Sequence, residues 1–240
     1  MNLSIIIPVY NEEKRLKRNL PEIKDYLSGF KGKYELLLID DGSSDNTRKV
    51  IKNFSRKNRK LNIKLNKKRK NKGKGYSVKE GFFLSKYNWV LFSDVDLSTP
   101  ITEADKLLKY IKKHDVIIAS RDLPESKVIG QPFYRKIMGR IFSFSTLLIT
   151  GLRVRDTQCG FKMFSRKSAE IIFKRQTISG FGFDPELLYI AKKHNFKIKE
   201  VPVIWTNDTE SKVSSIKDSF QMLLDLFRIR LNDWLRKKYN

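Results

Sequence analysis

The chain has 240 residues, of which 40% are hydrophobic and 12% aromatic, and this composition excludes a disordered protein and permits a full core. Its 50 Lys and Arg residues against 26 Asp and Glu residues give a formal net charge of +24, which favours a polyanion, an anionic membrane surface or a phosphorylated substrate. The one cysteine, Cys159, excludes an internal disulfide and a cysteine-rich zinc site and indicates a reducing compartment.

The first half alternates strand and helix patterns, which predicts a doubly wound α/β fold with a mostly parallel sheet. The predicted strands lie near Leu3–Val9, Tyr34–Asp40, Leu61–Leu65, Trp89–Ser93 and Asp115–Ser120. The predicted helices between them lie near Glu12–Leu27, Asp45–Arg56, Tyr76–Ser85 and Glu103–Lys113.

The second half is less regular. Its patterns predict helices near Phe133–Ile149, Lys167–Lys174 and Asp184–Lys193, a strand near Ile198–Trp205, and a final helix from about Ser215 to Lys237. The chain opens directly on a strand, so we expect no leader peptide. No apolar run reaches the ~18–20 residues of a spanning helix, so we expect no standard membrane span.

Two carboxylates follow the apolar strand Trp89–Ser93 and are separated by one residue, Asp94 and Asp96. Alternation along an extended chain places both on the same side. Open α/β folds bind ligands beyond the carboxyl ends of their strands. Two hard oxygen ligands there suit Mg²⁺ or Mn²⁺ held together with a diphosphate. A solvated strand-to-loop turn is the alternative for this pair taken alone.

The first two strands also end in acidic residues. Tyr10 and Glu12 follow the first strand, where a flat ring beside a carboxylate suits a nucleobase, although Glu12 also suits a helix start. Asp40 and Asp41 follow the second strand. Capping the next helix needs only one acid, so the pair is a candidate for binding ribose hydroxyls or a base N–H.

A basic run extends from Arg48 to Lys74, with 14 basic residues and no acidic one. Nucleic acid is one candidate partner. Phe54 is its only Phe, Tyr or Trp, so base stacking is poorly served, and a solvated face or attraction to anionic lipid is the alternative. The run closes at Asn71–Gly75, where glycines allow close backbone approach and Lys74 suits a phosphate.

In this order, Ile-Pro-Val-Tyr-Asn-Glu-Glu, Asp-Asp-Gly-Ser-Ser-Asp, Asn-Lys-Gly-Lys-Gly and Ser-Asp-Val-Asp resemble glycosyltransferase family 2, whose members are inverting enzymes of the GT-A fold. The later block Asp-Thr-Gln-Cys-Gly-Phe-Lys (156–162) and the segment Phe183–Ala191 resemble the dolichyl-phosphate β-glucosyltransferase branch. The similarity covers residues 3 to about 231.

The resemblance implies roles for particular residues. Pro8, Tyr10 and Glu12, with Asp41, would hold the base and ribose, and Lys74 would lie near the diphosphate. Asp94 and Asp96 would hold the metal. Arg121 and Arg135 would bind phosphates of donor or acceptor, Asp156 matches an acidic position that the family treats as catalytic, and Lys212 matches a basic residue that closes over the site.

The expected activity is transfer of glucose from UDP-glucose to dolichyl or another polyprenyl phosphate, with inversion. UDP-N-acetylglucosamine is the alternative donor. It is followed by GDP-mannose, because the mannosyl branch lacks the 156–162 block.

A polyprenyl phosphate is already anionic at neutral pH, so a strong base is not required, and Asp156 is as well suited to orient the acceptor or a sugar hydroxyl. A basic nucleic-acid-binding protein is the alternative from another class, but it leaves the paired acids at strand ends unexplained, so we expect no nucleic acid.

Residues 1–210 are expected to form the catalytic domain, with residues 1–121 as its nucleotide-binding half and residues 122–210 as its acceptor half. Residues 211–240 are expected to form a basic amphipathic helix. Ile137–Leu152 has one charge, Arg140, and the last helix has an apolar stripe flanked by Arg and Lys. Both suit either a core or a headgroup layer. We expect a peripheral enzyme on the cytoplasmic face of an anionic membrane.

Overall fold

The strands and helices follow one another in the alternating order that the sequence predicts. The computed structural model describes residues 1–68, 70–208 and 217–239. Its strands are β1 (Asn2–Val9), β2 (Lys33–Asp40), β3 (Ile63–Lys67), β4 (Trp89–Ser93), β5 (Val116–Ser120), β6 (Lys127–Ile129), β7 (Phe161–Ser165), β8 (Ile198–Pro202) and β9 (Ile204–Thr206). Its helices are α1 (Glu13–Gly29), α2 (Thr47–Lys57), α3 (Lys74–Leu84), α4 (Ala104–Leu108), α5 (Phe133–Thr150), α6 (Arg166–Arg175), α7 (Phe183–Lys193) and α8 (Lys217–Trp234).

Seven strands form one sheet in the order β3-β2-β1-β4-β7-β5-β8. All neighbours are parallel except β7, which lies antiparallel between β4 and β5. The sheet therefore takes strands from both the expected nucleotide-binding half and the expected acceptor half. A mostly parallel sheet flanked by helices confirms the predicted fold class.

The apolar side chains of the strands alternate between two buried layers, because successive residues of a strand point to opposite faces. Ile5, Ile7 and Leu38 pack on one face with helices α1 and α2. Ile6 and Ile39 pack on the other face with α3, α6 and α7. Coverage on both faces explains why the central strands are continuous apolar runs.

Four elements differ from the sequence-based expectation, and the first is the three-residue strand β6, which is exposed and was not predicted. Strand β7 was not predicted, because its second residue is Lys162, a type of residue that is rarely fully buried without a partner. The expected strand near Ile198–Trp205 is divided at Val203, since β9 leaves the large sheet and pairs with β6. The expected helix Glu103–Lys113 is a short 3₁₀ turn followed by α4, which ends at Leu108.

Helices α5 and α8 lie outside the two layers and pack against each other. Leu226 and Ile229 attach α8 to the core beside α7, and both are fully buried. None of the helices that the structure describes combines the length and the apolar character required to cross a bilayer.

Tyr239 attaches the chain after α8 to α7. Its side chain is fully buried, its hydroxyl donates to Glu186 Oε1 at 2.6 Å, and its carbonyl lies 2.9 Å from His194 Nε2. Burial raises the pKa of Glu186, while hydrogen bonds from Thr177 and Tyr239 oppose this rise. Tyr239 is therefore a packing residue and also a donor to a buried carboxyl group.

Tyr239→Ala is expected to lower the free energy of unfolding by roughly 3–5 kcal/mol, because a large ring leaves a cavity. Tyr239→Phe keeps the ring and removes only the donor, so a loss of about 1–3 kcal/mol is expected. Chemical denaturation of both variants measures this. Equal losses in the two variants would contradict a packing role for the ring.

Candidate functional site

The loops after β1 and β2 are held together by side-chain hydrogen bonds. The backbone N–H of Asn11 donates to Ser43 Oγ at 2.9 Å, and that of Glu12 donates to Thr47 Oγ1 at 2.8 Å. In the other direction, the backbone N–H of Ser44 donates to Asn11 Oδ1 at 2.8 Å. The two loops thus form one rigid rim at the carboxyl edge of the sheet.

The three expected base-binding residues on this rim differ in their exposure. Tyr10 is 41% exposed and stands at the open end of β1. Pro8 is buried within β1. The last residue of β1 that pairs with β4 is Ile6, so the missing N–H of Pro8 removes no hydrogen bond between these two strands. The Glu12 carboxylate is buried and accepts from Arg15 Nη1 at 3.2 and 3.3 Å. Tyr10 is the residue best placed to meet a base.

Asp40 and Asp41 have different partners. Asp40 is fully buried, accepts from the backbone N–H of Ser43 at 3.1 Å and forms an ion pair with Arg48. Asp41 accepts from the backbone N–H groups of Lys72 at 3.0 Å and Gly73 at 2.8 Å. Asp40 thus holds its own turn, whereas Asp41 holds the loop that carries Lys74.

That loop brings Lys74 to the first metal candidate. Gly73 has φ +100°, and a Cβ there would lie 2.4 Å from the carbonyl oxygen of Ser179, so only glycine fits. Lys74 Nζ lies 2.7 Å from Asp94 Oδ1. Burial alone would lower the pKa of Lys74, but the attraction of Asp94 and Asp184 outweighs it, so the ammonium stays charged.

Asp94 and Asp96 lie together in the loop after β4. Burial raises the pKa of Asp96, and the charge of Asp94 adds to this rise. Asp96 Oδ1 accepts from the backbone N–H of Ser98 at 3.0 Å, and Asn19 Nδ2 donates to the carbonyl of Val95 at 2.7 Å. Two carboxylates that repel each other in one loop are a site that a cation would stabilise.

Within the described part of the chain, no group of three or more His, Cys, Asp or Glu side chains is placed to hold a metal. Magnesium is commonly held by one or two carboxylates together with substrate phosphates and water. Asp94 and Asp96 therefore fit a divalent cation that arrives with a diphosphate, rather than a cage made by the protein alone.

Arg121 and Asp156 form a bidentate ion pair beyond the end of β5, in which the Asp156 side chain is buried and the Arg121 side chain is 23% exposed. The Arg121 Nε and Nη2 atoms lie 2.7 and 2.8 Å from the two carboxylate oxygens. The backbone N–H groups of Arg121, Gln158 and Cys159 donate to the same carboxylate at 2.9, 3.1 and 3.2 Å. Burial alone would raise the pKa of Asp156, but Arg121 outweighs it and holds the pKa at about 2.

The loop that carries Asp156 also touches Asp94. The backbone N–H of Asp94 donates to the carbonyl of Gly160 at 3.0 Å. A Cβ at Gly160 would lie 2.0 Å from Asp94 Oδ2, so this position leaves no room for a side chain. We call residues 156–160 the bracket loop, since it joins the metal candidates at one end to Arg121 at the other.

Strand β9 places both expected phosphate-binding arginines on one side of the site. The Arg121 guanidinium lies 5.4 Å from the ring centroid of Trp205, and Arg135 Nη1 donates to Asn207 Oδ1 at 3.2 Å. The backbone N–H of Thr206 donates to the carbonyl of Ser98 at 2.8 Å, which ties β9 to the Asp96 loop. Lys212 lies outside the described residues.

Sequence reasoning missed several residues that support the site. Arg15 joins Glu12 to Asp208, with Arg15 Nη2 lying 3.2 Å from Asp208 Oδ1. Asn19 holds the Val95 carbonyl, as above. Both are buried polar residues on α1, and in the sequence their one signal is that each stands next to a leucine of the apolar face, Leu16 or Leu20. Cys159 is buried, and burial raises its pKa to about 11, so it is a neutral thiol with no nucleophilic role.

Comparison with known proteins agrees with this geometry. The model of glycosyl transferase family 2 matches residues 4–173. A dolichyl-phosphate beta-glucosyltransferase of Dictyostelium discoideum is 37% identical over 95% of this chain and 73% of its own length. The Homo sapiens protein of the same name is 34% identical over 95% of this chain and 75% of its own length.

Solved structures show the same fold at low identity. Glucosyl-3-phosphoglycerate synthase from Mycobacterium tuberculosis, in complex with Mn²⁺, UDP and glucosyl-3-phosphoglycerate, has a TM-score of 0.68 and 16% identity, covering 96% of this chain and 79% of its own. The mannosyltransferase PcManGT from Pyrobaculum calidifontis, with GDP-Man and Mn²⁺, has a TM-score of 0.64 and 16% identity, covering 96% and 64%. The chain belongs to glycosyl transferase family 2, within the part of the family that includes the dolichyl-phosphate β-glucosyltransferases.

Proposed function

We propose that this protein is an inverting glycosyltransferase that moves glucose from UDP-glucose to dolichyl or another polyprenyl phosphate. One observation carries the proposal: the bracket loop joins a paired carboxylate site with Lys74 to an arginine site beside β9. The first site suits the diphosphate of a nucleotide sugar, and the second suits the phosphate of an acceptor. The curated relatives bear the name of this reaction.

In the proposed reaction, an oxygen of the acceptor phosphate forms a bond to the anomeric carbon of the sugar. The bond from that carbon to the diphosphate oxygen breaks, and UDP leaves with the electron pair. Attack from the opposite face inverts the configuration, so an α-linked donor yields a β-linked lipid phosphosugar. No proton has to be removed, because the acceptor phosphate is already anionic.

Each part of the site has a role in this scheme. Asp94 and Asp96 would hold a divalent cation, Mg²⁺ or Mn²⁺, which when bound supplies Lewis-acid stabilisation of the departing diphosphate. Lys74 adds a fixed positive charge beside Asp94. Arg121 and Arg135 orient the acceptor phosphate, and Tyr10 stacks on the base. Asp156 holds Arg121 and is not a base, because its pKa of about 2 is far below that of an effective one.

Calorimetric titration with UDP and with GDP, each with and without Mn²⁺, tests the nucleotide half of the proposal. We expect Mn²⁺-dependent binding of UDP and weaker binding of GDP. Transfer of labelled sugar to polyprenyl phosphate, from UDP-glucose, UDP-N-acetylglucosamine and GDP-mannose in parallel, then identifies the donor. Binding of neither nucleotide would contradict the transferase assignment.

The membrane half of the proposal rests on helices α5 and α8. They expose large apolar side chains, which together we call the apolar α5–α8 surface: Phe133, Tyr134, Ile137, Ile141, Phe144, Leu147 and Leu148 on α5, and Phe220, Leu224, Phe227, Leu231 and Trp234 on α8. Exposed basic residues flank it: Lys136, Arg140, Arg228, Arg230 and Arg236. This combination suits the headgroup layer of an anionic membrane.

Twelve exposed large apolar side chains on two helices that pack against each other are unusual on a monomer that stays in water. Their presence on the same chain as a site suited to a lipid phosphate supports a peripheral enzyme that meets its acceptor at the membrane. We place it on the cytoplasmic face because one buried cysteine suits a reducing compartment.

The double substitution Phe144→Ser with Leu148→Ser is expected to weaken binding to anionic liposomes roughly 100-fold, because two apolar side chains lose their burial in lipid. These side chains are 65% and 75% exposed, so the fold does not depend on them. Co-sedimentation at low salt measures the loss. The matched control is Phe83→Ser with Leu84→Ser, a pair that is also exposed but lies on α3. Equal losses in both doubles would contradict the assigned surface.

A further inference from the structure

A buried ion pair lies directly beneath the bracket loop. Lys162, the second residue of β7, is fully buried, and Asp184, in the first turn of α7, is 2% exposed. Lys162 Nζ contacts the Asp184 carboxylate and donates to the carbonyl of Cys159 at 2.6 Å. The lysine thus binds a helix through its charge and the bracket loop through its hydrogen bond.

Stability alone is a poor reason for such a pair. Removing two charges from water is costly, and a well-packed apolar pair of similar volume is often equally stable or more so. The reason for the pair is therefore to be sought in the elements that it joins and not in the stability that it adds.

The pair connects the elements that carry Asp94, Lys74 and Arg121. Above it, the bracket loop holds Arg121 through Asp156 and touches Asp94 through Gly160. Beside it, the start of α7 packs on the start of α3, where a Cβ at Gly75 would lie 2.7 Å from Phe183 Cβ. Movement of Lys162 or Asp184 would therefore move Asp94 relative to Arg121.

We propose that Lys162 and Asp184 are positioning residues for the transfer reaction, which fix the bracket loop so that the metal carboxylates and Arg121 keep their separation. The inference rests on the proposed function above. Neither residue touches the substrates in this scheme. Both act through the Cys159 carbonyl and the first turn of α7, and the charge of Asp184 also acts on Lys74.

The double variant Lys162→Met with Asp184→Leu tests the inference, because it removes both charges and leaves no unpaired one. We expect it to fold with a melting temperature within about 5 °C of the wild type, whereas each single variant melts lower. We expect its kcat at saturating donor and Mn²⁺ to fall at least ~30-fold, because transition-state contacts depend on exact placement. The metal-free Kd for UDP should stay within about twofold, since the rim of β1 and β2 is untouched, while the gain in UDP affinity from Mn²⁺ should fall at least ~10-fold.

The matched control is Lys64→Met with Glu35→Gln, an ion pair with a fully buried carboxylate at the opposite end of the same sheet. It should leave kcat and the Mn²⁺ dependence unchanged. If the apolar double does not fold, Lys162→Gln with Asp184→Asn keeps a neutral polar contact and takes its place.

A folded double variant with kcat and Mn²⁺ dependence within threefold of the wild type would overturn the inference. If the wild-type protein transfers no sugar, the proposed transfer reaction is wrong. The present inference is then tested by UDP titration alone, with and without Mn²⁺. A loss of the Mn²⁺-dependent gain in the Lys162 and Asp184 double, but not in the control, would support it, and an unchanged gain would overturn it.

Discussion

Asp96→Asn is expected to lower kcat/KM for sugar transfer by at least ~10³-fold, which corresponds to about 4 kcal/mol of transition-state stabilisation. Asparagine has nearly the same shape as aspartate but lacks the charge that a divalent cation requires at this position. The metal-free affinity for UDP should change little, because Tyr10 and the β1–β2 rim remain. Steady-state transfer assays and UDP titration with and without Mn²⁺ measure the two effects separately.

The control for this variant is Asp25→Asn, a substitution of the same chemistry at an exposed position on α1. It should leave both quantities unchanged. The Asp96→Asn protein should also fold at least as well as the wild type, because burial and the charge of Asp94 already disfavour the ionised form of Asp96. An Asp96→Asn enzyme that keeps Mn²⁺-dependent UDP binding would contradict the assignment of the metal site.

Asp156→Asn is expected to have the second largest effect, on stability as well as on activity. It leaves the partly buried Arg121 guanidinium beside a neutral amide. Breaking a fully buried pair in this way costs roughly 3–5 kcal/mol, and the partial exposure of Arg121 places the expected loss at or below the lower end of that range. The amide oxygen of asparagine can still accept from the backbone N–H groups of Gln158 and Cys159, but its NH2 group then faces the N–H donors of Arg121, which pushes Arg121 and the bracket loop apart. Denaturation with urea measures the stability, and the transfer assay measures kcat.

The pH dependence separates a positioning role of Asp156 from a role as general base. The folded pKa of about 2 lies below the ordinary value of 3.8, so the stability that Asp156 contributes is present above about pH 4 and lost as the pH falls towards 2. The pH–rate profile should therefore show no limb from Asp156 between about pH 5 and 9. A limb in that range that disappears in Asp156→Asn would restore the role of base.

Much of the fold could be predicted, because the hydrophobic periodicity and the turn-forming residues agree along the first half of the chain. The runs Leu36–Ile39 and Val116–Ala119 are continuous apolar strands, and each lies in the covered sheet. The motif after β4 also indicated where a site would lie, since both carboxylates follow the end of a strand. Local pattern was sufficient there because local and tertiary preferences coincide.

The remainder depends on partners that are distant in sequence. Strand β7 was hidden by Lys162, because a charged residue within a strand is incompatible with burial unless a partner such as Asp184 supplies the counter-charge. The division between Asp40 and Asp41 was equally hidden, since it depends on Arg48 for one and on the Lys72–Gly73 backbone for the other. The role of Asp156 required its five hydrogen-bond contacts to be seen together.

The antiparallel strand β7 has a consequence for how the chain reaches this structure. During synthesis from the N-terminus, β4 can pair with β1 at once, but its other edge has no partner until residues 161–165 emerge, and β5 pairs only with β7 and β8, which both come later. Until then the open edge of β4 is free to pair with another chain. Such a long wait is typical of slow folding through non-local contacts. Fragments that stop before Ser165 are therefore expected to aggregate. The strand that joins β4 to β5 is complete only about two thirds of the way along the chain.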